Sequence, residues 1–489
     1  MVRPTAHPVM AASFRCCGET PTHRCKPAYP QLHFCCGSRV LIGASILTTP
    51  ACITGPEVVS SESCGVMPEN MSPGKPGLSL VRVASTFAAG NMIVLAMRFV
   101  NTFLTARLVE PYLLGIFNSS LLAVSYAGIL QLGVLNGLNR ELPYEMGRGD
   151  HSRAEELTAA AEAWAILVSA VAFIALAAVS IWYLVAADPR RASAFAVAAV
   201  GGIYLLYGQL YLQTTYRTRG DFRKLVLILI TDAVMNVFGL ALLLAAPFKG
   251  LCIRSVAATV ISGALLWSFR PVRVRPRWHR AHLVHLLKVG APIYGVGQLY
   301  ALWPTINGTL IAARLGASSF GMYAVALMVA TGVGVITSSV SQVVYPRMAE
   351  DYGRTHDAAA ALRPAFKMTA AIAVILGTAC VAGWCALPFL IRTVLPKYTG
   401  GIAAAQWSLA ASALAVLGLP CSIFPVVRRL GMYTAALCCG IAAYAAMVMV
   451  FGSRLTLDSF PKALCLGNVV FLALAYLAML RITRRRVAL

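Results

Sequence analysis

The chain has 489 residues, of which 58% are hydrophobic and 12% charged, with a mean hydropathy of +0.73. Apolar runs of roughly 20 residues recur along most of it, the length a helix needs to cross ~30 Å of hydrocarbon, so a water-soluble globular protein is excluded. The net charge of +23 does not mark nucleic-acid binding, because Lys and Arg lie in the short connections between the apolar runs.

Residues 1–80 differ from the rest. They hold 7 of the 14 Cys and 10 of the 25 Pro and show no helical periodicity. Cys16, Cys17, His23, Cys25, His33, Cys35 and Cys36 follow no zinc-site spacing, so no metal is expected there. Val40 to Leu47 with Ala51-Cys52 is too short and Pro-broken for a signal segment. The expectation is a disordered extension, or one created by a start codon placed too early. A start at Met67 or Met71 leaves a short basic lead, Lys75 and Arg82, into the first apolar run. A peptide from upstream of Met67 in the natural protein would overturn that second reading.

From there the fold class reads as an all-α integral membrane protein with about twelve transmembrane helices in two pseudo-symmetric six-helix bundles. The spans are expected near 83–106, 112–137, 157–186, 192–215, 225–247, 251–269, 287–311, 320–345, 366–391, 402–424, 432–451 and 461–480. No sustained period-2 alternation supports a membrane β-barrel. If the chain enters the first span from the cytoplasm, the cytoplasmic connections carry roughly twice as many Lys and Arg as the opposite side, which puts both termini inside. The organisation expected is an extension over 1–80, a first lobe over 81–269, a basic cytoplasmic linker over 270–286, a second lobe over 287–480 and a basic tail over 481–489. The seven Cys after residue 80 read as small core residues.

A pattern of polar marks occurs in both halves. The first copy reads TARLVEPYLLGIF and then NRELPYEMGRGD; the second reads AARLGASSFGMY and then QVVYPRMAEDYGR. Each closes one apolar helix at Ala-Arg-Leu and opens the next at Gly and an aromatic. Six helices per half is an even number, so the halves share one orientation and relate by an axis along the membrane normal.

Aligned through Arg107 and Arg314, Asn91 falls on Gln298, Arg98 on Thr305 and Thr102 on Thr309. At 100° per residue these marks form one polar stripe on each leading helix, in the same phase. Lipid penalises such a stripe. It faces either a shared central cavity, which makes these six residues candidate substrate contacts, or neighbouring helices through hydrogen bonds. Arg107 and Arg314 sit at equivalent helix ends, where they either snorkel to the interface or rim a cavity mouth.

Two charges lie deep inside spans. Arg98 costs roughly 2.5–3.5 kcal/mol in such a place and needs water or a partner. Asp232 is the only acidic residue well inside a span, with Asn236 one turn on. The two form a structural bridge, or Arg98 meets an anionic substrate while Asp232 and Asn236 couple the site to an ion. Tyr204, Tyr207, Gly208 and Tyr211 form one face of the fourth span, with Gln209 and Gln213 beside it. No Walker A, GxSxG or HExxH motif is present, and the five His after residue 80 lie in loops or linker. No enzyme activity and no cofactor are expected.

TARLVEPYLLGIFNSSLLAVSYAGILQLGVLNGLNRELPYEMGRGD resembles the opening helices of polysaccharide biosynthesis/export proteins of the O-antigen flippase type. LLKVGAPIYGVGQLYALWPTINGTLIAARLGASSFGMYAVALMVATGVGVITSSVSQVVYPRMAED resembles the start of that family's second half. The superfamily also holds multidrug and toxin extrusion transporters and lipid II flippases. The similarity covers about residues 80–480. It implies two lobes that open to one side of the bacterial cytoplasmic membrane at a time, moving an undecaprenyl-pyrophosphate-linked oligosaccharide. Arg98 is the position that best fits such a family's cationic cavity. Implied partners are the lipid-linked glycan, membrane lipids, and the polymerase and glycosyltransferases of the same pathway. The short sixth span, interrupted by Arg254, departs from the pattern. An ion-coupled drug antiporter and a membrane glycosyltransferase or polymerase are the rival readings. The first would favour acidic cavity residues; the second would need carboxylates or a large domain in the outer loops.

Overall fold

The computed structural model describes residues 76–355, 357–427 and 429–484. The expectations for the extension and for the last tail residues lie outside these. Among the described residues all regular structure is helical. The first half contains α1 (Pro76–Leu108), α2 (Pro111–Ala127), α3 (Val134–Arg148), α4 (His151–Val185), α5 (Pro189–Ile203), α6 (Gln213–Arg219), α7 (Phe222–Phe238), α8 (Leu240–Ala245) and α9 (Pro247–Ser268). The second contains α10 (Arg280–Met322), α11 (Ala324–Thr355), α12 (Ala358–Val394), α13 (Ile402–Val416), α14 (Ile423–Val426), α15 (Leu430–Phe451) and α16 (Ser459–Arg484). Pairs α2–α3, α5–α6, α7–α8 and α13–α14 each make one broken crossing. Each of the twelve expected spans coincides with one or two of the described helices. Eight segments are long and apolar enough alone to cross a membrane; two bent pairs, one of α10 with the start of α11 and one of α13 with α14, raise this to ten, and α1, with Arg82, Arg98 and Arg107 along it, is not among them.

The helix ends follow local chemistry. Asp150, Asp188 and Asp357 cap α4, α5 and α12, accepting from the amides of Arg153, Arg191 and Ala359 at 3.0, 3.0 and 2.9 Å. Pro begins α2, α5 and α9, where its missing N–H costs nothing. Gly149 and Gly220 end α3 and α6 at φ of 81° and 74°, the left-handed cap that glycine adopts without strain. Two expectations about local structure change. The fourth crossing contains a π-helical stretch, Tyr204–Leu212, so its tyrosines do not follow a 3.6-residue period. The sixth is a single continuous helix despite Arg254.

The lobes meet along an asymmetric pair of seams. α2 and α3 lie against α10 over most of its length, whereas α1 touches α11 sparsely. The α2/α3–α10 seam is built from close backbone approach. A Cβ on Gly115 would stand 1.7 Å from the Ala317 carbonyl oxygen, and one on Gly321 1.6 Å from that of Pro111. Gly115 and Gly321 are the two repeat glycines, so each copy's turn packs on the other's. Further along, Gly137 meets the Leu286 backbone and Gly290 the Gly133 backbone. In lipid, where apolar burial drives little, such small-residue contact is what holds helices together. Tyr126 and Tyr294 add hydrogen bonds across the seam, to Thr309 Oγ1 and the Gly128 carbonyl, both at 2.9 Å.

α10 belongs to both lobes. Its first turns pack Leu283 and Leu286 into the first lobe's core with Leu138, Leu157 and Tyr216, while Trp303 and Ile311 sit in second-lobe cores. The helix therefore begins at Arg280 inside the expected linker and crosses from one lobe to the other. At the end remote from the linker, Val109, Leu114, Leu243, Leu251, Val325 and Tyr398 form one core shared by both lobes. Tyr398 seals it with a hydrogen bond from its hydroxyl to the Val109 carbonyl, 3.0 Å.

Candidate functional site

A polar file runs inside the first lobe where α1, α7 and α9 meet. α7 and α9 are antiparallel, so Asp232 lies opposite Ser262 and Gly239 opposite Arg254. α1 faces both with Arg98, Asn101 and Thr105. From Arg98 to Thr105 the file spans ~10 Å along the helix axis.

At one end Arg98 Nη2 stands 3.6 Å from Asp232 Oδ2. The Arg98 side chain is 51% exposed and Asp232 only 13%. Ser262 donates to Asp232 Oδ1 at 3.0 Å, and Asn236 Nδ2 donates to the Asp232 carbonyl at 2.9 Å and to Oδ1 at 3.5 Å. The carboxylate is thus anchored, while the guanidinium is held by one long contact and faces open space. At the other end Arg254 is 5% exposed. Its Nη1 donates to Asn101 Oδ1 at 2.9 Å and Thr105 Oγ1 at 3.1 Å. Gly239 admits it: a Cβ there would lie 2.3 Å from Arg254 Cγ.

The candidate residues named from the sequence divide accordingly. Arg98, Asp232 and Asn236 come together. Asn91 is half-buried one face along α1, and Thr102 is exposed with its hydroxyl bonded to the Arg98 carbonyl, 2.9 Å. On α10, Gln298 is half-buried and Thr305 buried, its hydroxyl 3.4 Å from the Ala301 carbonyl. Thr309 bonds the Thr305 carbonyl and Tyr126 and so lies in the seam. Arg107 and Arg314 are exposed at the helix ends. Sequence reasoning missed Arg254 as a buried group with partners, and with it Asn101 and Ser262. The signal was there, since Arg254 interrupts an apolar run, but its partners are about 150 residues away in the chain.

Among the described residues the second lobe buries no charged side chain. Asn307, 2% exposed, donates from Nδ2 to the Tyr323 hydroxyl at 3.0 Å and accepts from the Tyr444 hydroxyl at 2.9 Å. Among the described residues no group of three His, Cys, Asp or Glu could hold a metal ion.

Charged contacts between α10 and the first lobe gather at the linker. His285 Nε2 is 3.1 Å from Glu141 Oε2, and His282 Nε2 is 3.2 Å from Glu156 Oε2. Burial, and then the charge of His279, hold the His282 imidazole below the usual histidine range against the pull of Glu156.

The family model for polysaccharide biosynthesis proteins matches residues 104–396, more than half of the chain, and the protein belongs to that family. No curated protein matches it. Its fold is that of the transporter superfamily containing multidrug extrusion proteins and lipid II flippases. It is similar to a multidrug-resistance transporter of the MATE family in an inward-facing conformation, at 14% identity and TM-score 0.62, over 79% of this chain and 94% of that one. It is likewise similar to the lipid II flippase MurJ in an inward closed conformation, at 10% identity and TM-score 0.60, over 81% and 90%. A third neighbour, from Pyrococcus furiosus, has 14% identity and TM-score 0.54 over 84% and 96%; it is described as a superfamily transporter whose binding pocket has reverse polarity. At these identities the likeness establishes a multi-pass membrane fold.

Proposed function

We propose that this protein is a flippase that moves an undecaprenyl-pyrophosphate-linked oligosaccharide across the bacterial cytoplasmic membrane by alternating access, with both termini inside. The observation that carries the reading is the charge of the first lobe's file: two guanidiniums, Arg98 and Arg254, against the single carboxylate Asp232. A pyrophosphate suits that balance, and a drug cation does not. Arg98 is the group positioned to bind it. It is half exposed and loosely paired, so the phosphates would replace Asp232 as its partner, while Ser262 and Asn236 hold the carboxylate in place. Thr102, Asn91 and, on α10, Gln298 and Thr305 are the polar groups offered to the sugar, with Arg107 and Arg314 at the far rim; Thr309, bonded to Tyr126 in the closed seam, is not among them.

The two seams support a route for the lipid. The glycine-packed α2/α3–α10 seam leaves no room for a chain, whereas the α1–α11 seam has little contact, with Phe99 and Gly332 among its nearest neighbours. The polyprenyl tail would remain in the bilayer at that second seam. The protein would meet the enzymes that make and polymerise the glycan at the membrane, and it would need no catalytic chemistry of its own.

The test is a leaflet assay with the full chain in proteoliposomes. A fluorescent undecaprenyl-pyrophosphate sugar is added and the fraction open to an external quencher is followed over time. Protein-dependent exchange that Arg98→Ala slows is the expected result. Absence of exchange together with sodium- or proton-driven uptake of a cationic drug would replace this reading with the antiporter.

A further inference from the structure

The first turns of α10 serve the reading above only as packing, yet they carry a cavity. Arg280, Ala281, Val284, His285 and Lys288 line an open pocket of about 550 Å³. At 100° per residue these five fall on one face of α10, roughly 160° round from Leu283, Leu286 and Gly290, which pack on the first lobe. The pocket therefore opens away from that lobe's core. Val284, Ala291, Gln298 and Thr305 follow one another at heptad spacing, so the pocket and the polar stripe share one side of the helix, within about 60°. Depth points to a lipid headgroup. Lys288 stands in the first turn of the expected span 287–311, and Trp278, 59% exposed, lies shortly before it, at the level where aromatic residues meet headgroups. Charge points to phosphate. His285 is occupied by Glu141 at 3.1 Å. Arg280 and Lys288 are exposed, and neither makes a hydrogen bond or ion pair with any described residue.

We infer that this pocket is an entry site for the pyrophosphate of the polyprenyl-linked substrate, occupied in the linker-side leaflet before the headgroup reaches Arg98; the inference rests on the flippase reading. The two unpaired cations match the two negative charges of a pyrophosphate diester, and exceed the single charge of an ordinary anionic phospholipid. Arg280 offers a planar fork to one phosphate and Lys288 a point charge to the other. Their Cα atoms stand about 12 Å apart along the helix, a gap that two long side chains close. Ala281 and Val284 keep the floor between them small and uncharged. From there Gln298 and Thr305 continue the same side of α10 toward the middle of the fold. The pocket lies at the opposite end of α10 from Arg314 and so is separate from the far rim.

The experiment titrates exchange in proteoliposomes with undecaprenyl-pyrophosphate sugar, using the full chain. Arg280→Gln combined with Lys288→Gln should raise the lipid concentration for half-maximal exchange about 10-fold. Both side chains are exposed, so the packing of α10 is left intact. The charge-keeping pair, Arg280→Lys with Lys288→Arg, should return the value close to wild type. Arg275→Gln with Arg277→Gln removes two exposed linker charges outside the pocket and should leave it unchanged. Half-saturation that the first pair does not alter, or that the last pair raises equally, overturns the entry site while the flippase reading stands. Added phosphatidylglycerol should not compete; competition that the first pair abolishes would give the pocket to an anionic phospholipid instead. A wild type that exchanges no lipid removes the flippase reading, and calorimetry with inorganic pyrophosphate on the detergent-purified chain then decides the pocket. Binding lost in Arg280→Gln with Lys288→Gln supports the diphosphate site; binding that survives in that variant, or no binding by the wild type, overturns it.

Discussion

The leading helices of the two lobes, α1 and α10, started from one pattern and serve different ends. On α1 the polar marks turn into their own lobe: Arg98 meets Asp232 on α7, and Asn101 and Thr105 hold Arg254 on α9. On α10 the corresponding positions are neutral, and the helix spends itself on packing. Thr309 joins the seam through Tyr126, and Asn307 ties Tyr323 to Tyr444. One lobe keeps buried charge, which is costly in a membrane unless it does something. The other has exchanged charge for a satisfied neutral network. The difference separates the first lobe, which keeps buried charge, from α10, which packs into the cores of both lobes.

The comparison can be broken at the seam first. Gly115→Val and Gly321→Val each drive a side chain into backbone at less than 2 Å. Each should cost more than about 3 kcal/mol and leave little monodisperse protein on size exclusion. Full accumulation of either variant would mean that the lobes do not meet as described.

Next comes the charge asymmetry. Arg98→Ala should reduce lipid exchange about 100-fold, the loss expected when a charge-assisted contact worth ~2.7 kcal/mol is removed, while the protein still reaches the membrane. The corresponding change in the second lobe, Thr305→Ala, should alter exchange by less than about 3-fold, because it removes only a neutral hydroxyl. Equal losses from the two would erase the distinction between the lobes.

A smaller effect is expected from the neutral network. Tyr444→Phe removes the donor to Asn307 Oδ1 and should lower the stability of the second lobe by about 1 kcal/mol with no change in substrate preference. Hydrogen exchange of α10 and α15 would show it.

The smallest concerns the linker contacts. The folded state holds the His282 imidazole below its ordinary value of 6.5, so it resists protonation that the unfolded chain accepts. Its contribution to stability is therefore present above pH 6.5 and is lost as pH falls below it. His282→Gln should flatten the unfolding midpoint between pH 7 and pH 5 by a small amount, about 1 °C. An unaltered profile would show that the histidine contact contributes nothing to holding α10 on the first lobe.

Much of this was legible in the chain. Hydropathy alone placed the long apolar helices, because a bilayer imposes a length on each and lipid tolerates no unsatisfied backbone. The repeat marks located the equivalent helices, and Asp232 pointed to its partner Arg98, although it is not the only acid in the apolar helices, since Glu162 is buried in α4 and accepts from the Tyr207 hydroxyl at 2.7 Å. Less visible were features that depend on which side chains meet at a distance. The stripe on α1 was legible as a stripe, but periodicity does not say whether its face meets a cavity or a neighbouring helix. The π-helical stretch at Tyr204–Leu212 shifts residues by a local change of pitch that composition does not encode. Arg254 looked like an interruption of a weak span, and its neutral partners sit on a helix far away in sequence.

The sequence by itself determined the membrane class, the all-helical fold, the two-fold repeat and the family, since these follow from apolar length and short-range marks. The tertiary structure decided that α10 spans both lobes, that one seam is closed by glycine contacts and the other sparse, and that the buried charges among the described residues gather in one lobe. Those outcomes rest on packing distances between segments up to about 200 residues apart. No local propensity carries them, because a Gly is read as flexibility until the backbone it admits is known.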